Sequence, residues 1–176
     1  MSEATAALAA RDAGIVVAEG SMGLHDGIVA GAGRTGANAD IAARYGWPVV
    51  LVLDVSGAAQ SAAAVALGCR AYDPRVRLAG VVLNKVASAR HRRLVEDGLR
   101  RVGIPILGAI MRDAGLILPE RHLGLVQARE TSGLEERLDR LGDLAEAMRT
   151  LDADLAVLEP LVVERVFAPS ALSMYP

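Results

Sequence analysis

Aromatic residues make up only 3% of this 176-residue chain, and it holds one cysteine and one lysine. A core poor in rings has to be built from Ala, Val, Leu and Ile, which suits closely layered helices and buried parallel strands. The one cysteine, Cys69, cannot close an internal disulfide, so a reducing cytoplasm is the expected setting. It follows the apolar run 62–68 and reads as a small core residue. An excess of charge is missing too. The formal net charge is −2, which gives no electrostatic reason to expect nucleic acid or an anionic membrane as partner. No apolar run approaches the ~20 residues needed to cross a bilayer. The chain's start, with Glu3, Arg11 and Asp12 around an Ala-rich stretch, lacks the basic segment and apolar core of a signal peptide. Also absent is G-x-x-x-x-G-K-[S/T], the loop whose amides and lysine cradle a nucleotide's phosphates. The lone lysine, Lys85, follows an apolar run rather than a glycine loop.

What remains is 52% hydrophobic and ordered in alternating blocks. Short runs rich in β-branched residues at 14–18, 48–53, 78–83, 104–110 and 123–126 read as strands, and continuous apolar runs of that length are expected to be covered on both faces. Between them, 2–11, 38–45, 58–70, 88–101 and 132–150 read as helices. The run 58–70 is almost all small and apolar and is expected to be buried. Ser88 is placed to cap the next helix, whose surface is strongly basic. Ser132 with Glu135 forms a capping-box pattern for the last. Strand and helix alternation implies an α/β fold, a mostly parallel sheet with helices on both faces. About 150 residues per domain is the usual size, so residues 1–159 are read as one domain. Residues 160–176, with three prolines, read as a linker or the beginning of another element.

In parallel sheets ligands sit beyond the carboxyl ends of the strands. Three of the runs end in polar residues, Glu19, Asp54 and Asn84, and these open the list of candidates. The stretch Glu19-Gly-Ser-Met-Gly-Leu-His-Asp-Gly27 sets a carboxylate at a strand end, then glycines, then Asp26. Hard oxygens so placed suit Mg²⁺, which takes one or two carboxylates plus phosphate oxygens; a tight turn with solvated acids is the plainer reading. Gly31-Ala-Gly-Arg-Thr-Gly36 matches G-x-G-x-x-G and leaves open a dinucleotide-binding module, although only residues 27–30 could form the strand feeding it, so a glycine-rich loop is the alternative. Asn84 offers donor and acceptor to an adenine edge, or caps the next turn. In Leu118-Pro-Glu-Arg-His-Leu-Gly124, Arg121 could grip a carboxylate or phosphate in two-point fashion, and His122 could donate a proton or serve as a hydrogen-bonded loop residue.

Taken in order, residues 19–27, 54–61, 84–91 and 119–124 resemble cobyrinic acid a,c-diamide synthase, including the form acting on hydrogenobyrinic acid. The resemblance runs from about residue 14 to 130, and its most specific parts are Glu-Gly-x-Met-Gly-Leu-x-Asp-Gly and Pro-Glu-Arg-His-Leu-Gly. It implies a P-loop NTPase-like, dethiobiotin synthetase-like fold and a carbon–nitrogen ligase of cobalamin biosynthesis. With ATP and Mg²⁺, a corrin carboxylate becomes an acyl phosphate, and ammonia released from glutamine by a glutaminase domain displaces the phosphate. On that resemblance Glu19 corresponds to the Mg²⁺-binding acid and Asp26 to an acid of the chemistry. Asp54, Gln60 and Ser61 line the phosphate and substrate side, Asn84 faces adenine, and Arg121 and His122 flank the nucleotide or the corrin carboxylates. The family's first strand and phosphate loop and its glutaminase domain are missing from the chain. It is therefore expected to be an incomplete portion of such a ligase, with residues 160–176 the truncated start of the glutaminase domain. By itself it should turn over little ATP. Apolar surface exposed by the missing strand would favour a homodimer. A non-catalytic interaction protein built on the ligase fold is the other alternative.

Overall fold

A computed structural model of the chain describes residues 17–20, 22–116 and 133–148. In order they form helix α1 (Asn38–Tyr45), strand β1 (Pro48–Asp54), helix α2 (Ser61–Tyr72), strand β2 (Arg77–Val86), helix α3 (Ala89–Arg101), strand β3 (Ile106–Met111), a 3-10 turn (Ala114–Leu116) and helix α4 (Leu134–Met148). The strands make one three-stranded sheet in the order β1-β2-β3, with β2 and β3 parallel. This is the α/β architecture expected from the alternating pattern. Most predicted elements fall where the pattern puts them. The run 14–18 lies largely outside the described residues, and Val17 and Ala18 belong to no strand. The run 123–126, helix 2–11 and Ser132 of the capping box also lie outside them, as does the boundary expected near residue 160.

Local chemistry explains the helix ends. Ser88 Oγ accepts the amide of His91 at 3.1 Å, capping α3, and satisfies one of the donors a helix start leaves without a partner. Gly46 ends α1 in the left-handed conformation, φ 64°, which costs glycine little. Inside α3 the buried Glu96 is gripped by Arg92 Nε at 2.6 Å and Arg100 Nη2 at 2.8 Å. Burial works against its charge, but the two guanidinium groups outweigh that and hold it below the usual carboxylate range.

The described residues fall into two compact units: 17–20, 22–49 and 68–79 in one, and 50–67, 80–116 and 133–148 in the other. The first has a small core of Ala37, Ala39 and Val76, with Leu24, Ala43 and Val49 packed on it. The second holds the large fully buried side chains Val55, Val81, Leu83, Val86, Val95 and Leu99. Each such side chain contributes about 1.5–3 kcal/mol by leaving water, so the second unit carries the stronger core.

Two expectations about burial are corrected. Strand β1 is not covered on both faces: Val50 and Val52 are 45% and 61% exposed, while Leu53 between Val52 and Asp54 is buried. Helix α2 is not buried all round: Ala62, Ala63 and Ala66 form its buried stripe, while Val65 and Leu67 face outward. An apolar run reports the composition of an element. Burial depends also on what packs over it, and β1 stands at one end of the described sheet order.

Candidate functional site

In the second unit the carboxyl ends of the strands carry the polar residues. Asp54 is the last residue of β1. Asn84 and Lys85 sit in β2, two residues and one residue before its end rather than past it. Here the β2–β3 register slips: Leu83 faces Ala109 and Val86 faces Met111, so β2 carries one extra residue. This is a β-bulge, a feature that re-aims side chains. Lys85 takes a left-handed backbone, φ 59°, and is the one non-glycine residue with positive φ among those described. Such conformations persist where surrounding bonds enforce them. Those bonds are present: Lys85 N donates to Asn84 Oδ1 at 2.9 Å, and Lys85 Nζ to Asp54 Oδ2 at 2.6 Å. The Asn84 carbonyl accepts the amide of Val55 at 3.0 Å. Asp54 Oδ1 also accepts the Ser56 amide at 2.9 Å. The Lys85 ammonium first, then the Ser56 amide and hydroxyl, hold Asp54 well below the usual carboxylate range. After β3, Arg112 lies close, its amide donating to Val86 O at 2.8 Å and its guanidinium directed at Ser56 O at 3.5 Å. Gln60 and Ser61 are exposed at the start of α2.

The first unit holds the other predicted acids, Glu19 and Asp26, both exposed. A turn closes from Asp26 N to Gly23 O at 3.1 Å, and Ala39 N at the start of α1 donates to Leu24 O at 2.9 Å. Asn38 Nδ2 donates to Met22 O at 2.9 Å. His25 Nε2 bonds the Cys69 carbonyl at 2.9 Å, and its ring lies 4.7 Å from that of Tyr72. A carbonyl only accepts, so that nitrogen carries the proton. Gly27 allows a close approach: a Cβ there would stand 2.5 Å from Thr35 O, the oxygen that accepts Ile28 N at 2.9 Å. The loop's backbone is thus pinned from several sides while Asp26 stays open to solvent. Cys69 is a half-buried free thiol, and burial pushes its pKa up.

The glycine-rich stretch 31–36 has no strand before it; residues 27–30 are irregular. Its amides already hold an anion of the chain's own. Asp40 accepts Gly33 N at 2.9 Å, Thr35 N at 2.7 Å and Thr35 Oγ1 at 2.6 Å, and pairs with Arg75 at 3.3 Å. The Thr35 hydroxyl leads in holding Asp40 below the usual carboxylate range. A dinucleotide's pyrophosphate would have to displace this carboxylate, so the geometry favours the plain loop.

The second unit therefore brings together Asp54, Asn84 and Lys85, with Gln60 and Ser61 on the segment that follows Asp54. The first unit carries Glu19 and Asp26. Arg121 and His122 lie outside the described residues. Sequence reasoning passed over Lys85 as a functional group, over Arg112, and over Asp40 as the ligand of the glycine loop. The signal for Asp40 was available: an acid in the first turn of a helix, just after a glycine-rich loop, is placed to accept that loop's amides. Among the described residues no group of three or more His, Cys, Asp or Glu side chains could hold a metal ion by itself, and no helix is long and apolar enough to cross a membrane.

The polar rim at the carboxyl ends of a parallel α/β sheet is the arrangement of a nucleotide-binding fold. The chain belongs to the AAA-domain family, whose model matches residues 2–119; the fold is α/β and P-loop NTPase-like. More particularly, it is similar to hydrogenobyrinate a,c-diamide synthases. It is 56% identical to that of Mesorhizobium japonicum over 158 residues, covering 90% of this chain and 36% of the relative. It is 46% identical to the Agrobacterium fabrum synthase over 150 residues, 85% of this chain and 34% of the relative. It is 52% identical to the Rhodobacter capsulatus synthase over 155 residues, 86% and 35% respectively. The chain thus spans about a third of the length of these curated relatives. No solved structure matches it.

Proposed function

We propose that this chain supplies part of the ATP site of a hydrogenobyrinate a,c-diamide synthase, which amidates two peripheral carboxylates of the corrin precursor in cobalamin biosynthesis with glutamine as nitrogen donor. The observation that carries the proposal is the 56% identity across 90% of the chain to a synthase of that name. Chemically, a corrin carboxylate oxygen attacks the γ-phosphorus of ATP and ADP departs. The nitrogen of ammonia then adds to the acyl carbon, phosphate leaves, and a proton is lost to give the amide. A glutaminase domain is the proposed source of that ammonia, and the cytoplasm, as the home of ATP and glutamine, the proposed setting. Association of two copies belongs to the same reading and draws on the exposed Val50 and Val52 of β1.

The chain's own residues divide the work. Asn84, whose amide nitrogen keeps its donors while its oxygen takes Lys85 N, is proposed to read the adenine edge. Gln60 and Ser61 meet phosphate or substrate oxygens at the start of α2. Lys85 and Arg112 offset the negative charge gathered there. Asp54 holds Lys85 in place until that charge arrives. Arg121 is proposed to orient a phosphate or corrin carboxylate, and His122 to supply a proton. Glu19 and Asp26 are exposed hard-oxygen donors close in sequence. They fit Mg²⁺, whose remaining ligands would come from phosphate and water because it needs only one or two carboxylates. When bound, the metal would lower the charge on the phosphate oxygens; Glu19 would hold it, and Asp26 would position substrate or water.

The test is a chimera in which this sequence replaces the matching 158 residues of the Mesorhizobium relative. Incubated with hydrogenobyrinic acid, MgATP and glutamine, the folded chimera should give the diamide by mass spectrometry. A folded chimera that forms no amide, from glutamine or from ammonia, overturns the proposal.

A further inference from the structure

His91 contributes nothing to the chemistry above, yet its amide and both ring nitrogens are engaged. Its amide donates to Ser88 Oγ at 3.1 Å. Its Nδ1 lies 3.0 Å from the amide of Ala87, in the turn after β2. Its Nε2 lies 2.7 Å from the carbonyl of Ala58, in the loop between β1 and α2. The amide can only donate and the carbonyl can only accept. Both bonds coexist only when Nδ1 keeps its lone pair and Nε2 carries the hydrogen. One ring thus joins two chain segments through opposite hydrogen-bonding roles, and that specificity goes beyond packing.

The segments it joins are those that carry the rim. The turn at Ala87 follows Asn84 and Lys85. The loop at Ala58 runs from Asp54 to Gln60 and Ser61; inside it Ala58 N donates to Val55 O at 3.2 Å, and Ala63 N, in the first turn of α2, donates to Gln60 O at 3.0 Å. A second contact comes from the same helix. Gly98 lies two turns beyond His91 and so on the same side of α3. A Cβ there would stand 3.0 Å from the Cα and carbonyl oxygen of Gln60 and 3.3 Å from Ala63 Cβ. Val95, between them on that side, is fully buried.

We infer that His91 is a positioning residue: its imidazole sets the spacing between the Asp54–Ser61 segment and the Asn84–Lys85 bulge. This rests on the reading that the rim binds nucleotide, but its test needs no nucleotide. Two variants separate the bonds, because an asparagine amide reaches the place of Nδ1 and a glutamine amide that of Nε2. In the chain itself, amide hydrogen exchange is measured at Ser56, Ala58, Ala62 and Ala63. His91→Asn, which keeps the Ala87 bond and loses the Ala58 bond, should speed exchange there about tenfold, whereas His91→Gln should stay near wild type. Equal acceleration in both variants, or none in His91→Asn, overturns the inference. Should either variant not fold, the ¹⁵N shifts of the wild-type imidazole decide: a fixed Nε2–H tautomer is expected, and an Nδ1–H or averaging ring overturns it. If the exchange pattern holds while the chimera makes no amide, the proposed function fails and the role of His91 stands.

Discussion

Around Asp26, in the unit of residues 22–49 and 68–79, the backbone is pinned by Asn38, Ala39 and His25 while the carboxylate is open to solvent. At Asp54, in the unit of residues 50–67, 80–116 and 133–148, the carboxylate itself is engaged by Lys85 and Ser56. Asp40, also in the first unit, goes further: its side chain is only 10% exposed and each oxygen has partners. Three acids near glycines or strand ends look alike in sequence and differ in what they can do. An open carboxylate can take a cation. One paired to lysine changes partners only when a stronger anion draws the lysine away. One bound by its own loop serves the fold.

The largest effect expected from that contrast is at Glu19. Glu19→Gln in the chimera should lower Mg²⁺-dependent amide formation by roughly 10²-fold or more, since several kcal/mol of charge stabilisation go with the metal, and leave thermal unfolding unchanged. Normal turnover would remove Glu19 from the site and leave the open acids without a role. Next, Gly98→Ala should destabilise the second unit. Overpacking against Gln60 costs about 1–3 kcal/mol and alanine's better helix propensity returns part of it, leaving a net loss of about 1 kcal/mol by denaturant unfolding.

Asp40→Asn should cost about 1 kcal/mol, the scale of a lost cap, and speed amide exchange at Gly33 and Thr35. Asp40 has its folded pKa lowered, so its contribution is complete above the unfolded value near ~4 and is lost as pH falls below it. The variant should lack that part of the acid-side loss of stability. The smallest effect is at Lys85. Lys85→Met should raise the Asp54 titration toward the ordinary carboxylate range, followed by NMR, while stability moves within about 0.5 kcal/mol because the pair is half exposed. An Asp54 titration that does not move would mean that Ser56, rather than Lys85, controls this acid.

Much of the frame was legible before any coordinates. Helix α1 runs over the predicted 38–45, Ser88 caps α3, and β1 ends at Asp54 as its apolar run does. These features depend on neighbours a few residues apart, where propensity and capping act. The two errors about burial share one cause: β1 and α2 have the composition of buried elements, but exposure is a property of what packs against them.

The sequence by itself determined the alternating α/β pattern, the helix start at Ser88, and the kinship with hydrogenobyrinate a,c-diamide synthases. Only the tertiary structure decided which polar side chains are engaged, and by what: Lys85 with Asp54 across 31 residues, His91 with Ala58 across 33, and His25 with Cys69 across 44. The reason is physical. Local patterns act through turns of a few residues, whereas these bonds follow from strand register, a one-residue bulge and the face a helix presents, and those are set only when distant segments pack together.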